Sequence, residues 1–476
     1  MVNGVPLMRL FLTTLALSFT ALLLKAERPN IVILLADDAG YSDFGCYGGE
    51  AETPNIDQLA AEGLKLTDFH AAAPNCSPSR TGLLTGRYPS RVGVYSYIPE
   101  QKEGLHPMHM PSSEVTLAEL LKESGYQTAH TGKWHVSVLR STQPQPSDQG
   151  FDYSFGTTNN AIPSHLNPVN FVRNGEPVGD VEGYACQIVV DDAIRWLNQK
   201  DEADPFFLYV AFHEPHEKIA SPPEMVAQYS EGEKRNEYLA NIQNLDDAAG
   251  RLLERLDQLG HREDTIVLFA SDNGSLHDAS NGGLRGQKSM LYEGGIREPG
   301  IIRWPAMIEA GRTSDATLNF VDLLPTFCSL AGVASPQDRT LDGVDFSPLL
   351  FGNENWERDQ PLFWYFYRSI AGSSQRAQGM TGKMPAGAFR IDDWLLIGYL
   401  EHLNMPDSHA MVPSDMDFIR ESTWEKFELY NLRTDRAQKK NLFNERRALV
   451  KRLSKEMAAI HASMVEEGPY WKWEDQ

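Results

Sequence analysis

Residues Asn30–Ala36 read N-I-V-I-L-L-A, and Asp37 and Asp38 follow without a break. Six apolar residues after Asn30, half of them β-branched and with no polar alternation, predict a strand buried on both faces. Two later runs share this character, Phe206–Phe212 (F-F-L-Y-V-A-F) and Thr265–Ala270 (T-I-V-L-F-A). Helix signals separate them. Thr53 is a candidate cap before Pro54, with Ile56, Leu59 and Ala60 on one face and Gly63 as the stop. Thr116 and Glu119 have capping-box spacing ahead of Leu117, Leu120 and Leu121, and Gly125 closes that helix. A longer helix is predicted over Asn236–Leu259, with Leu245, Leu252 and Leu256 on its apolar face and Gly260 at its end. Strands alternating with helices predict an α/β fold, a large sheet sandwiched by helices.

The pattern changes near residue 355. Leu362–Arg368 and Ala388–Leu400 are aromatic and branched, without the helix a parallel crossover needs, and Asn441–Glu466 reads as one terminal helix. Residues 356–476 therefore read as a smaller antiparallel α+β domain beside a large domain spanning 27–355. Ser369–Gly387 and Asn404–Thr423 read as loops. The 476 residues comprise 41% hydrophobic and 23% charged types, which excludes disorder and a multi-span membrane protein. The formal charge of −22 would repel a nucleic-acid backbone, so no nucleic-acid partner is expected, and an anionic substrate requires a local basic site.

Arg9 precedes the apolar run Leu10–Leu24. A positive start and a run too short to span predict a signal peptide over residues 1–26, hence a secreted or periplasmic protein without a stable membrane span. Four cysteines, Cys46, Cys76, Cys186 and Cys328, contain no C-x-x-C pair, and the core must supply the stability.

The polar clusters follow the apolar strands, at the sheet edge where open α/β proteins bind ligands. Asp37-Asp38 follows one strand and Ser271-Asp272-Asn273-Gly274 another. Each alone also reads as an ordinary turn. Together they offer three carboxylates and an amide oxygen, a set suited to a hard divalent cation such as calcium. Cys76-Ser77-Pro78-Ser79-Arg80 opens a predicted helix, which puts Cys76 at the positive helix end with Arg80 one turn on. The other three cysteines read as small buried hydrophobes. Gly132-Lys133-Trp134-His135, His213-Glu214-Pro215-His216 and Lys288 add cationic and titratable groups in polar stretches of an acidic chain.

These motifs, C-S-P-S-R, D-D, G-K-W-H, H-x-P-H, S-D-N-G and K-x-x-x-x-E-G-G-I-R (Lys288 to Arg297), with E-L-Y-N-L at Glu428 to Leu432, resemble those of the type I, formylglycine-dependent sulfatases, in the family's order. Small departures exist: Val136-Ser137 follows G-K-W-H where Leu-Gly is more usual, and Glu298 interrupts the common I-R-V-P. The resemblance implies an alkaline phosphatase-like fold with a large mixed sheet. It also implies that a maturation enzyme oxidises Cys76 to formylglycine. An aldehyde hydrate can attack sulfate and then expel it by re-forming its carbonyl, whereas a thiolate would leave a stable adduct.

On the same resemblance, Asp37, Asp38, Asp272 and Asn273, together with modified Cys76, would hold one calcium ion, and Arg80 would steady the hydrate. Lys133 and Lys288 would bind sulfate oxygens, His135 would be the base, and His216 with Lys288 would protonate the departing alcohol. Asn159 or Asn160 would stand where some members place a further sulfate contact. The stretch P-S-R-V-G-V-Y-S-Y is similar to N-acetylgalactosamine-6-sulfatase-like members and points to a sulfated carbohydrate. Tyr95, Tyr97, Trp364, Tyr365 and Tyr367 are candidates both for sugar stacking and for the core. The competing readings are a phosphonate or phosphodiester hydrolase of the same superfamily and a non-catalytic binder of sulfated glycans.

Overall fold

The computed structural model describes residues 28–99, 107–139, 142–370, 383–400 and 411–473. The expected leader and parts of the two expected loops lie outside the described residues. Eleven described strands form one mixed sheet: β1 Asn30–Asp37, β2 Leu64–His70, β3 Gln127–Lys133, β4 Tyr153–Thr157, β5 Val172–Arg173, β6 Glu176–Pro177, β7 Phe206–Pro215, β8 Thr265–Ser271, β9 Arg297–Arg303, β10 Arg312–Ser314 and β11 Leu318–Asn319. The order is β10-β2-β9-β8-β1-β7-β3-β4-β5-β6, with β11 beside β2. β1 is central and pairs in parallel with β7 and β8. Side chains alternate across such a strand, and both faces are sealed: Ile31, Ile33 and Leu35 enter one apolar layer, Val32, Leu34 and Ala36 the other. The helix Glu233–Gln258 covers the second layer with Leu245, Leu252 and Leu256.

β9 runs antiparallel to both β8 and β2. Its first residue therefore lies at the edge where the parallel strands end, so the loop entering β9 reaches that edge too.

A second sheet, β12 Leu362–Ile370, β13 Lys383–Ile391, β14 Trp394–Leu400 and β15 Trp424–Asn431, is antiparallel in chain order. The helix Arg447–Glu467 packs Val450, Leu453 and Met457 into the layer shared by Phe363 and Tyr365. The opposite face, with Leu362, Trp364 and Phe366, closes over Leu291, Tyr292 and Ile296. A buried charge cluster ties the sheets together. Arg390 of β13 and Arg297 of β9 share Asp68 of β2, at 2.8 and 2.6 Å.

Several local expectations need correction. Ala388–Leu400 is the end of one strand and all of the next, because Asp392 takes a positive φ in the turn between them. Asn404–Thr423 is not all loop: Pro413–Glu421 is helical, with Met416 and Ile419 buried. Ser369 and residues 384–387 belong to strands. The terminal helix begins at Arg447 rather than Asn441, since Asn441 instead accepts from the Leu429 and Phe443 amides. Thr53 holds the N-cap position of its helix but makes no side-chain bond to the helix amides; its hydroxyl accepts from Gly45 N–H and donates to Asp57, and the helix ends at Ala61, two residues before Gly63.

Candidate active site

Four neighbouring parallel strands deliver polar residues at the same edge: Asp37 from β1, Lys133 from β3, the His213–His216 segment from β7 and Asp272–Asn273 from β8. β2 leads through residues 71–75 into the helix Cys76–Thr85, so Cys76 is the first helical residue. Cys76 and Ser77 are in the first turn, where backbone N–H groups lack partners within the helix; Pro78 has no N–H, and Ser79 N–H donates to the Asn75 carbonyl at 3.1 Å.

Backbone geometry aims these groups. Asp38, His135 and Ser289 all have left-handed φ, of 67, 55 and 66°. A non-glycine residue held there costs about 1–2 kcal/mol, which the surrounding packing must offset. Gly132, at φ 103°, precedes Lys133, and a Cβ there would lie 1.8 Å from the Ala211 carbonyl oxygen. At Gly274 a Cβ would lie 2.1 Å from the Gly294 carbonyl oxygen, so the turn after Asn273 packs directly on the turn before β9.

The side chains converge. Cys76 is only 2% exposed, yet its surroundings are ionic rather than hydrocarbon. Its Sγ lies 3.3 Å from Asp37 Oδ1, 3.8 Å from Asp38 Oδ1 and 3.5 Å from Lys288 Nζ. One ligand atom from each of Asp37, Asp38, Asp272 and Cys76 lies within 4.8 Å of the others. Lys133 Nζ donates to Asp37 at 2.7 Å, and Lys288 Nζ to Asp38 at 2.6 Å. Arg80 donates to Asp272 at 2.9 Å and to the Lys133 carbonyl at 2.9 Å, and lies 3.6 Å from Asp37. Asn273 donates to Asp38 at 2.7 Å, leaving its buried Oδ1 without a partner. A carbonyl oxygen oriented this way beside three carboxylates fits an all-oxygen cation site.

The histidines differ in setting. Buried His135 donates from Nε2 to the Ile98 carbonyl at 2.9 Å, which leaves a bare, buried Nδ1. His216 is partly exposed, with Nε2 3.6 Å from Asp38 and Nδ1 2.7 Å from the Glu217 carbonyl. His213 is buried and bonds Thr157 Oγ1 at 2.7 Å.

The electrostatics follow from this crowding. Burial would raise Asp37, but Lys133, then His216, Arg80 and Lys288 outweigh it and hold the carboxyl well below the usual range. Burial, then neighbouring Asp37, push Asp272 the other way, to about 7, against the pull of Arg80. Burial and then Asp37 raise the Cys76 thiol well above its ordinary value. Burial, followed by Lys133, keeps His135 neutral, and burial, followed by Lys288, lowers His216.

Residues 29–333 match the sulfatase family, and residues 286–404 match the C-terminal region of N-sulphoglucosamine sulphohydrolase. The chain belongs to the sulfatase family. It is 38% identical over 389 residues to arylsulfatase A of Homo sapiens, covering 74% of this chain and 73% of that one. It is 35% identical over 370 residues to N-acetylgalactosamine-6-sulfatase of Homo sapiens, covering 71% and 68%. The solved structure of Ps i-CgsB in complex with k-i-k-neocarrahexaose superposes with a TM-score of 0.78 at 26% identity, over 94% and 95% of the two chains. This sulfatase is accordingly a sulfuric ester hydrolase with a buried cluster able to hold a cation.

Other parts of the site were hidden in the sequence. The Ile98 carbonyl that holds His135 lies in an unremarkable stretch after the Cys76 helix. Ser289 N–H donates to the Pro74 carbonyl at 2.7 Å, and its hydroxyl accepts from Asn75 at 3.1 Å, so it links the Lys288 loop to the start of the Cys76 helix. Asn160 accepts from Lys133 at 3.4 Å, whereas Asn159 has a buried, unpartnered Oδ1. Of the five aromatic candidates, Tyr95, Trp364, Tyr365 and Tyr367 are core residues, and only Tyr97 is partly open.

Proposed function

We propose that this sulfatase hydrolyses a sulfate ester on a carbohydrate, with Cys76 matured to formylglycine as nucleophile and one calcium ion held by Asp37, Asp38, Asp272 and Asn273. The observation carrying the reading is the position of Cys76: at a helix start, within 3.3 Å of Asp37 and 3.5 Å of Lys288. The ion would supply charge that favours an ionised nucleophile and offsets negative charge on the sulfuryl group.

The side chains divide the remaining work. Lys133 and Lys288 bind sulfate oxygens from either side as fixed point charges. Arg80 orients Asp272 and Asp37 around the nucleophile. His135 accepts a proton at its bare Nδ1 while Ile98 fixes its tautomer. His216, beside Asp38 and the more exposed of the two, gives a proton to the departing alcohol. Charge supports sulfate over phosphate monoesters. With a divalent cation bound, Asp272 would be ionised beside it, so that Asp37, Asp38 and Asp272 balance Arg80, Lys133 and Lys288 and the cation leaves two positive charges. A sulfate monoester and an ionised nucleophile carry two negative charges together, whereas a phosphate monoester brings nearly one more.

The N-acetylgalactosamine-6-sulfatase relatives and the complex of Ps i-CgsB with k-i-k-neocarrahexaose support a sulfated sugar, with a hexosamine or galactose sulfate favoured. Separation of the two sheets, one ending at Asn319 and the other starting at Leu362, supports a division near residue 355. No described helix is long and apolar enough to cross a membrane. With the expected leader, this supports a secreted or periplasmic protein that meets a formylglycine-generating enzyme before or during export.

The test is a substrate panel of sulfated monosaccharides, para-nitrophenyl sulfate, a phosphate monoester and a phosphodiester, with Cys76→Ala beside the wild type. Mass spectrometry of the Cys76 peptide should find CH2–SH replaced by CHO. Turnover by Cys76→Ala, or preference for the phosphodiester, refutes the reading.

A further inference from the structure

We infer that Tyr97, backed by Arg368, is the platform on which the pyranose ring of the substrate stacks. The inference rests on the sugar-sulfatase reading above and names the residue that would recognise the sugar. The Arg368 guanidinium lies over the Tyr97 ring, 4.8 Å from its centroid. Arg368 is 4% exposed and Tyr97 partly exposed, so the cation packs the inner side of the ring and the accessible part of the phenol faces outward.

Tyr97 is one position from a residue that holds His135, and Arg368 is one position from a residue bonded to the Lys288 loop. Ile98, after Tyr97, donates its N–H to Ser77 Oγ at 2.9 Å, and its carbonyl accepts from His135 at 2.9 Å. Ser77 follows Cys76. Ser369, after Arg368, donates to the Ser289 carbonyl at 3.3 Å, and Ser289 follows Lys288. The pair is therefore tied on one side to the nucleophile helix, through Ile98 and Ser77, and on the other to the Lys288 loop, through Ser369 and Ser289. Tyr367 N–H donates to the Tyr95 carbonyl at 2.9 Å, which locks the two segments together and leaves the platform little freedom.

The chemistry suits a sugar. A pyranose has an apolar face of ring C–H groups, and these pack on the electron-rich face of an aromatic ring. A guanidinium on the opposite side orients the phenol without covering its outer face. Sulfate captured between Lys133 and Lys288 would bring the attached ring into reach of this platform. The other four aromatic candidates cannot do this, since they are sealed in the core.

The experiment compares wild type, Tyr97→Ala and Tyr97→Phe on N-acetylgalactosamine 6-sulfate and galactose 6-sulfate, together with inhibition by inorganic sulfate. Tyr97→Ala should raise KM for the sugar sulfates about ten-fold or more, the loss expected for a removed apolar contact. Inorganic sulfate should inhibit all three proteins equally, and Tyr97→Phe should stay within about two-fold of wild type, because the ring face and not the hydroxyl makes the contact. An unchanged KM in Tyr97→Ala overturns the inference. So does a parallel loss of sulfate inhibition, which would mean that Tyr97 acts through Ile98 on the sulfate pocket, or a Phe variant as damaged as Ala. A wild type that cleaves para-nitrophenyl sulfate and no sugar sulfate overturns the carbohydrate reading and this inference with it. A wild type active on sugar sulfates beside an unaffected Tyr97→Ala overturns the inference alone.

Discussion

Replacing Lys288 by Met removes one positive charge while keeping most of the apolar stem. The ammonium lies 2.6 Å from Asp38 and 3.5 Å from Cys76 Sγ, and the side chain is 11% exposed. A preorganised donor in such a desolvated site contributes about 3–4 kcal/mol to the transition state, a factor of about 10²–10³ in rate. The contact strengthens as charge develops on the departing oxygen, so kcat and kcat/KM should fall together. Lys288 also opposes protonation of His216, so its loss should raise the His216 pKa and move any limb that depends on this group to higher pH. Steady-state kinetics over a pH series on purified Lys288→Met and Lys288→Arg, checked for intact fold by circular dichroism, measures both effects. The arginine variant should retain more activity, because it keeps the charge. A methionine variant within about three-fold of wild type refutes the role given to Lys288, since a contact worth several kcal/mol cannot vanish so cheaply.

Chelation should abolish turnover and lower the unfolding temperature, and calcium should restore both, with a gain of about 2.7 kcal/mol at a hundred-fold excess over Kd; full activity after exhaustive chelation would count against a resident ion. Arg390→Met should destabilise the protein by about 3 kcal/mol, because it breaks a buried bidentate pair with Asp68, and Arg297 remains to limit the loss. A loss of unfolding free energy below about 1 kcal/mol in denaturant titration would show that the cluster does not hold the sheets together. Glu293 is fully buried; burial would raise its carboxyl, but Arg297 and His70 override it and lower the pKa from 4.5 to about 2. The folded pKa is the lower one, so this stabilisation, about 3 kcal/mol, is present above pH 4.5 and fades as pH falls toward 2. The penalty of Glu293→Gln in chemical denaturation should therefore be full at neutral pH and shrink through that window; a pH-independent penalty would refute the pairing.

Local patterns carried much of this protein. The unbroken apolar run after Asn30 specified a strand covered on both sides, because no polar residue in it could face water. Thr116 and Glu119 specified their own helix start, since both hydrogen bonds of the capping box lie within one turn. The donor types at the strand ends, carboxylate, amide, thiol, lysine and histidine, were also legible, because short motifs preserve them in order. Where a boundary depended on a distant partner, the reading failed. Asn441 was taken up by Leu429, and Pro413–Glu421 became helical by burying Met416 and Ile419.

Only the tertiary structure decided that groups from Asp37 to Lys288 meet at one point. That convergence depends on strand order and on the reversal of β9, which no local window contains. It likewise decided that Trp364 belongs to the core and that Tyr97 stays partly exposed. Trp364 lies where the second sheet closes over residues 291–296, and its indole donates to the Ala71 carbonyl at 2.8 Å. Composition determines which side chains can be buried; the packing of one sheet against another determines which of them are.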